Sequence, residues 1–146
     1  MSVLTTYGKY SDLPAVIEAA GGRAVTAGLS AGSRSSVNYE QLMAWDPDYI
    51  FLDHGGINDG ITVEDMQDEL YSEKAYSALK AVKDRHVYTV PSGVFYWDMG
   101  LQKVLLVEYI AKILYPDILE DLDIKAELID FYSRFYGYGL TDDQAV

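Results

Sequence analysis

Polar and aromatic side chains that could contact a ligand follow the short apolar segments of this chain. They are Lys9, Tyr10, Arg34, His54, Tyr96 and Trp97. The guanidinium of Arg34 offers a planar set of donors that suits a carboxylate or an oxyanion, and Lys9 would add a second positive charge. The imidazole of His54 can donate a hydrogen bond or coordinate a metal. The alternative for each of these three is an ordinary surface or loop position without a ligand.

The segment 95–97 places three adjacent aromatic side chains, Phe95, Tyr96 and Trp97, just before a predicted helix. Three consecutive side chains cannot all point into one core, so we expect at least one of them to face outward. An exposed aromatic ring suits a large, flat or partly apolar ligand, because it can stack on the ligand and bury area. The alternative is that these rings pack under the helix.

Catalytic motifs are scarce in the sequence. The chain contains no cysteine, which excludes disulfides, thiolate zinc sites and cysteine nucleophiles, and it has two histidines. A Walker phosphate loop and a GxGxxG nucleotide loop are both missing from it. Asp53 beside His54 is the best remaining pair and leaves open a small metal-dependent hydrolase. We expect no catalytic residue, no resident metal and no bound cofactor, and we interpret His86 as structural.

Apolar segments and capping residues predict the elements that position these side chains. Runs rich in β-branched and aromatic residues predict strands at 3–7, 23–26, 49–52 and 86–90. Helical spacing and cap signals predict helices near 12–20, 39–45, 63–70, 72–79, 99–115 and 123–136. This alternation favours one α/β domain with a mostly parallel sheet of about four strands and helices on both faces. Ligands bind beyond the carboxyl ends of such strands, where the candidate residues would meet.

Length and charge narrow the range of partners. The chain has 146 residues and a formal net charge of −12. A strongly acidic chain repels phosphate backbones and anionic lipids, so we expect neither nucleic acid nor a membrane surface as a partner. We find no apolar run that predicts membrane insertion and no secretion signal in this chain. The acidity leaves open a stand-alone interaction domain that docks on a basic partner.

Three segments resemble the C-terminal lobe of periplasmic binding proteins for iron-siderophores, haem, cobalamin and related solutes. Residues 20–25, 39–52 and 79–91 read AGGRAV, YEQLMAWDPDYIFL and LKAVKDRHVYTVP. They are similar to the family patterns AGG-N-V, EQLLAWNPDVIFL and LKAVKNGRVYTVP. Arg23 stands where the family has an asparagine, so no role of that asparagine carries over to this chain.

The resemblance implies a role in solute uptake. In this family of helical-backbone metal receptors, two α/β lobes joined by one long helix bind a solute between them and deliver it to an ABC importer. Residues 1–146 would form the C-terminal lobe, without the N-terminal lobe and the linking helix, and the full-length protein would be extracytoplasmic. The solute would be a metal chelate, such as an iron-siderophore, haem or a corrinoid, or an oxyanion such as molybdate.

The resemblance also assigns a residue to the contact with the ABC transporter permease. Glu40 lies at the position where the family carries an acidic residue that meets arginines of the permease. A role in stabilising the beginning of its own helix is the alternative, because carboxylates are favoured at helix N-termini.

Overall fold

The computed structural model describes residues 5–29, 34–53, 60–91, 97–98 and 100–145. The strands in these ranges are β1 (Thr5–Thr6), β2 (Ser35–Ser36), β3 (Ile50–Leu52) and β4 (Val87–Thr89). The helices are α1 (Leu13–Ala19), α2 (Tyr39–Trp45), α3 (Val63–Ser72), α4 (Lys80–Lys83), α5 (Lys103–Leu114) and α6 (Ile124–Tyr136). Short 3-10 helices cover Val25–Gly28, Lys74–Ala78 and Gly100–Gln102. Within the described ranges, no helix combines the length and the apolar character that crossing a membrane requires.

The described strands form two small sheets, and the α/β class is confirmed. β3 and β4 pair in parallel, with Ile50 opposite Val87. β1 and β2 pair antiparallel, with Thr5 opposite Ser36. The sheets are therefore one parallel pair and one antiparallel pair, and helices connect the two strands of the parallel pair.

The predicted strand at 23–26 is wrong. Val25–Gly28 forms a 3-10 helix, in which the N–H groups of Ala27 and Leu29 bond to the carbonyls of Ala24 and Thr26. These local bonds satisfy backbone groups that a strand would need to pair with a neighbour. Ser35–Ser36, which the sequence places in a loop, forms β2 instead.

Side-chain alternation along β3 divides the core into clusters on the two faces of the parallel pair. Ile50 and Leu52 lie in a cluster with Met66 and Leu70 of α3. Phe51 packs against the other cluster, which contains residues of α1, α5 and α6. Successive side chains of a strand point to opposite faces, so this partition follows directly from the backbone. The expectation of helices on both faces is confirmed.

Cap residues fix the beginnings of three helices where the sequence predicts them. Asn38 Oδ1 accepts the Gln41 N–H at 2.8 Å and starts α2 at its predicted residue. Thr62 and Asp65 form a reciprocal capping box at α3, and Asp123 caps α6. The helix predicted at 99–115 begins later, since a 3-10 helix precedes α5.

The C-terminal ends of α1 and α5 are held together at Gly21. The φ angle of Gly21 is +84°, a left-handed backbone conformation that residues with a Cβ rarely adopt. The Tyr115 hydroxyl donates to the Gly21 carbonyl at 2.6 Å. A Cβ at Gly21 would lie 2.9 Å from the Tyr115 ring, so a glycine is required for this close approach.

Candidate functional site

One side-chain hydrogen bond joins the carboxyl ends of β1 and β3. The hydroxyl of Tyr7, which follows β1, donates to Oδ2 of Asp53, which follows β3, at 2.8 Å. Arg34, beside β2, places Nη2 3.4 Å from that hydroxyl and its guanidinium carbon 5.6 Å from the Tyr7 ring centre. We call Tyr7, Arg34 and Asp53 the edge cluster. A phenol, a guanidinium and a carboxylate from three separate segments thus meet where a ligand of this fold is expected.

The electrostatic environment keeps the phenol of the edge cluster protonated. Burial, followed by the negative charge of Asp53 and the hydrogen bond to it, raises the pKa of Tyr7 to about 12. The guanidinium of Arg34 acts in the opposite direction and only partly offsets these causes. Tyr7 therefore remains a hydrogen-bond donor to Asp53 at neutral pH, and the pair holds the ends of the two strands together.

An alkaline titration is expected to reveal this environment. The difference in phenolate absorbance between the wild type and Tyr7→Phe should have its midpoint near pH 12, well above the ordinary value of about 10. Because the folded-state pKa exceeds the unfolded one, the stabilisation by Tyr7 is complete below about pH 10 and is lost as the pH rises toward the folded-state pKa. A midpoint at the ordinary value would contradict the buried, hydrogen-bonded phenol.

The loop after β1 brings two further predicted residues to the surface. Tyr10 is 70% exposed, and Lys9 Nζ lies 5.9 Å from the Tyr10 ring centre. The Lys9 N–H donates to the Leu29 carbonyl at 3.1 Å, which fixes the loop backbone. Lys9 and Tyr10 follow Tyr7 within three residues of the chain, so they lie on the same edge as the edge cluster.

The position of Trp97 corrects the expectation that this ring faces a ligand. Trp97 is only 5% exposed, and its ring meets Tyr109 of α5 edge-on, at 6.4 Å between ring centres. The alternative, packing under the helix, describes it instead. Tyr96 and His54 lie outside the described residues.

The remaining sequence candidates have ordinary partners or exposed positions. His86 stacks on Tyr49 at 4.5 Å and lies with Nδ1 3.2 Å from the Asp48 carbonyl, in keeping with a structural role. Glu40 is exposed in the first turn of α2. No group of three or more metal-binding side chains occurs in the described part of the chain.

A cavity of about 560 Å³ lies next to the edge cluster and is lined in part by Tyr7 and Asp53. Its walls include apolar residues of α1, α2, α3, α5 and β3, and Arg23, Asp46 and Asp48 add charged groups. This volume is within the range of about 300–1,000 Å³ that is usual for small-molecule sites.

The sequence does not indicate Tyr7 as a site residue, because its pattern predicts only the last residue of a strand there. The available signal was its position directly before Gly8, at the carboxyl end of that strand. The sequence indicates Asp53, beside His54, as a catalytic or metal-binding candidate. In the structure its carboxylate accepts the Tyr7 hydroxyl.

Comparison with known proteins identifies relatives along nearly the whole chain. A family model described as "Periplasmic binding protein" matches residues 3–94. The molybdate-binding protein MolA of Haemophilus influenzae is 27% identical over an alignment of 146 residues. The match covers 97% of this chain and 39% of that protein.

Solved structures show the same fold. A periplasmic solute binding protein from Veillonella parvula matches with 32% identity and a TM-score of 0.77, over 97% of this chain and 42% of that one. An ABC transporter solute binding protein from Sulfurospirillum deleyianum matches with 25% identity and a TM-score of 0.79, over 98% and 43%. The chain therefore spans about two fifths of the length of the relatives it matches.

Proposed function

The chain belongs to the periplasmic binding protein family, and from this membership we propose that it forms one lobe of a solute receptor for an ABC-type importer. Residues 1–146 would be the C-terminal lobe, and a longer polypeptide would supply the other lobe and a linking helix. The relatives, which are more than twice as long, support this division. The complete protein would act outside the cytoplasm, where it would bind its solute without catalysing a reaction.

The observation that carries the proposal is the edge cluster at the carboxyl ends of β1 and β3. Arg34 is exposed there and rests on Tyr7, which is itself held by Asp53. A guanidinium in a fixed position loses less freedom on binding than a mobile one, so it can hold a ligand more tightly. The cluster therefore resembles a prepared contact for a solute more than a catalytic pair, because the Asp53 carboxylate already accepts the Tyr7 hydroxyl.

We propose a negatively charged solute, either an oxyanion or an anionic metal chelate. Arg34 and Lys9 place positive charge on this edge of a chain whose net charge is −12. A guanidinium can bind two oxygens of an oxyanion at once. The exposed ring of Tyr10 could cover a flat part of a chelate. Tyr96 and His54 remain proposed solute contacts.

A solute panel tests this function. The complete gene product that contains this chain should be titrated calorimetrically with molybdate, tungstate, a ferric siderophore, haem and cobalamin, with sulfate as the common anion for comparison. Molybdate is the first oxyanion to test, because it is named for the Haemophilus influenzae relative. We expect at least one oxyanion or chelate to bind far more tightly than sulfate. If none of these solutes binds, the proposed function is wrong.

Reversal of the charge at Glu40 is expected to weaken docking on the permease. We propose that this exposed carboxylate meets permease arginines, so Glu40→Arg would place like charges together and weaken the complex by about 10-fold or more. Solute affinity should change less than about 2-fold, since substitutions away from a binding contact have small effects. Binding to the transporter in nanodiscs and calorimetry with the solute measure the two quantities.

Glu64 provides a matched control for this experiment. It is exposed and occupies the second residue of α3, as Glu40 does in α2. Glu64→Arg removes a favourable carboxylate from a helix N-terminus in the same way, but it should leave docking nearly unchanged. Equal losses of docking in the two variants would contradict the role assigned to Glu40.

A further inference from the structure

Large apolar side chains are exposed where the beginning of α5 meets the end of α6. Their exposed fractions lie between 48% and 61%, and the residues are Leu101, Val104, Phe135, Tyr136 and Tyr138. We call this set the α5–α6 face. Soluble proteins rarely expose contiguous apolar patches larger than a few hundred square ångströms, and larger patches usually mark a surface that another polypeptide covers.

One side-chain hydrogen bond joins the two helix ends that carry this face. Gln102 follows Leu101 in the chain and is buried. Its Nε2 donates to the Tyr136 hydroxyl at 3.0 Å. Leu101 and Val104 are three residues apart, a spacing that places side chains on one side of a helical segment. The buried ring of Phe131 lies 4.8 Å from the Phe135 ring centre and 6.0 Å from that of Tyr136. Phe135 and Tyr136 thus extend the core cluster around Phe131 outward.

Two cations near the α5–α6 face are paired within this chain. Lys103 forms an ion pair with Asp12. Arg134 forms an ion pair with Asp130, one turn earlier in α6, at 2.8 Å. The exposed members of the face are apolar or phenolic, so it suits an apolar protein surface better than a charged ligand.

The α5–α6 face lies at the same end of the fold as the edge cluster. Helices α1 and α5 pack side by side, with Asp12 bonded to Lys103 at their beginnings and Gly21 bonded to Tyr115 at their ends. The two helices therefore run in the same direction. Because α1 begins shortly after the carboxyl end of β1, the beginning of α5 also lies at that end.

We propose that the α5–α6 face is covered by the other lobe of the same, longer polypeptide. This inference rests on the proposed function, which requires a second lobe next to the edge cluster. The relatives contain more than twice the length of this chain, so they have additional polypeptide available for such a contact. The apolar character of the face and its position beside the solute edge identify where that polypeptide packs. A second copy of this chain is the competing occupant.

Hydrogen exchange measured by mass spectrometry tests the contact. In the complete gene product, the amides of residues 100–105 and 133–138 should exchange at least about 10-fold more slowly than in the 146-residue chain. The reason is that covered helix ends open less often. Peptides around Ile118, which is 79% exposed but lies outside the face, should exchange equally in both. Equal exchange of the face in the two proteins would overturn the proposal. A gene product of only 146 residues, or a dimer of this chain that protects the face, would overturn it as well.

A pair of variants separates coverage from local stability. Leu101→Ser should lower the Tm of the complete gene product by about 3–5 °C, because it places a polar group in the contact. In the 146-residue chain the same change should move the Tm by less than about 1 °C, because Leu101 is in water there. Ile118→Ser is the control and should have a small effect in both proteins. The same small effect from Leu101→Ser in both proteins would overturn the proposal.

The tests of the lobe contact and the solute panel can fail separately. Protection of the face without binding of any solute would reject the proposed function and leave the contact standing. Binding of a solute without protection of the face would reject the contact alone.

Discussion

Replacement of Arg34 by alanine is expected to weaken solute binding to the complete gene product by about 100-fold, equivalent to about 2.7 kcal/mol. The guanidinium would be the main positive contact of an anionic solute, and its position on the Tyr7 ring prepares it for that contact. Arg34→Lys keeps the charge but loses the planar pair of donors, so an intermediate loss of about 10-fold is expected. Calorimetric titration with the panel solute that binds the wild type measures both.

Arg85 is the control for this experiment. Its guanidinium also lies over a tyrosine ring, 4.5 Å from the centre of Tyr71, but at a different place in the fold. Arg85→Ala removes the same charge and the same kind of ring contact, so it should leave solute affinity nearly unchanged. Equal weakening by Arg34→Ala and Arg85→Ala would show a general effect of net charge and would contradict a direct contact by Arg34.

The second large effect is expected in the core. Leu106 is fully buried in the cluster formed by α1, α5 and α6, and it also lines the cavity next to the edge cluster. Leu106→Ala should lower the free energy of unfolding by about 3–4 kcal/mol, through lost apolar burial and the enlarged cavity. This is a large part of the roughly 5–15 kcal/mol that stabilises a typical domain. Urea denaturation of the 146-residue chain measures the change.

Val104 provides the comparison within the same helix. It is about half exposed, so Val104→Ala should change the free energy of unfolding by less than about 1 kcal/mol. A loss below about 1 kcal/mol for Leu106→Ala would mean that the cluster rearranges to fill the space, which close-packed interiors rarely do completely.

Local signals were sufficient where one segment contains all the information. Asn38 and the break at Asp46-Pro47 set both ends of α2, which spans its predicted residues. The longer apolar runs at β3 and β4 were likewise recognisable as strands. Two-residue strands such as β2 carry no periodicity of their own, and pairing with β1 determines them. The mistaken strand at 23–26 failed for the same reason, since no strand partner supports it within the described residues.

The candidate site was predictable only in part. Arg34 and Lys9 are recognisable as candidates because charged residues stand out in loops that follow strands. Tyr7 was missed because a tyrosine at a strand end does not reveal a distant carboxylate partner, here 46 residues away in the chain. For Trp97 the sequence predicts an exposed ring, whereas the ring is buried. Adjacent aromatic residues indicate that one ring faces outward, but they do not indicate which ring turns into the core.

The division of the core between the faces of β3 and β4 affects the order in which the protein can be assembled during synthesis. The buried residues of the cluster that contains Leu52 all lie between Leu52 and Val87, so this half of the core is available soon after that stretch has left the ribosome. The other cluster joins Val16 to Phe131 and remains incomplete until α6 has been translated. Until then the side of α5 that packs against α6 lacks this partner, and this is the period in which the nascent chain depends most on protection from aggregation.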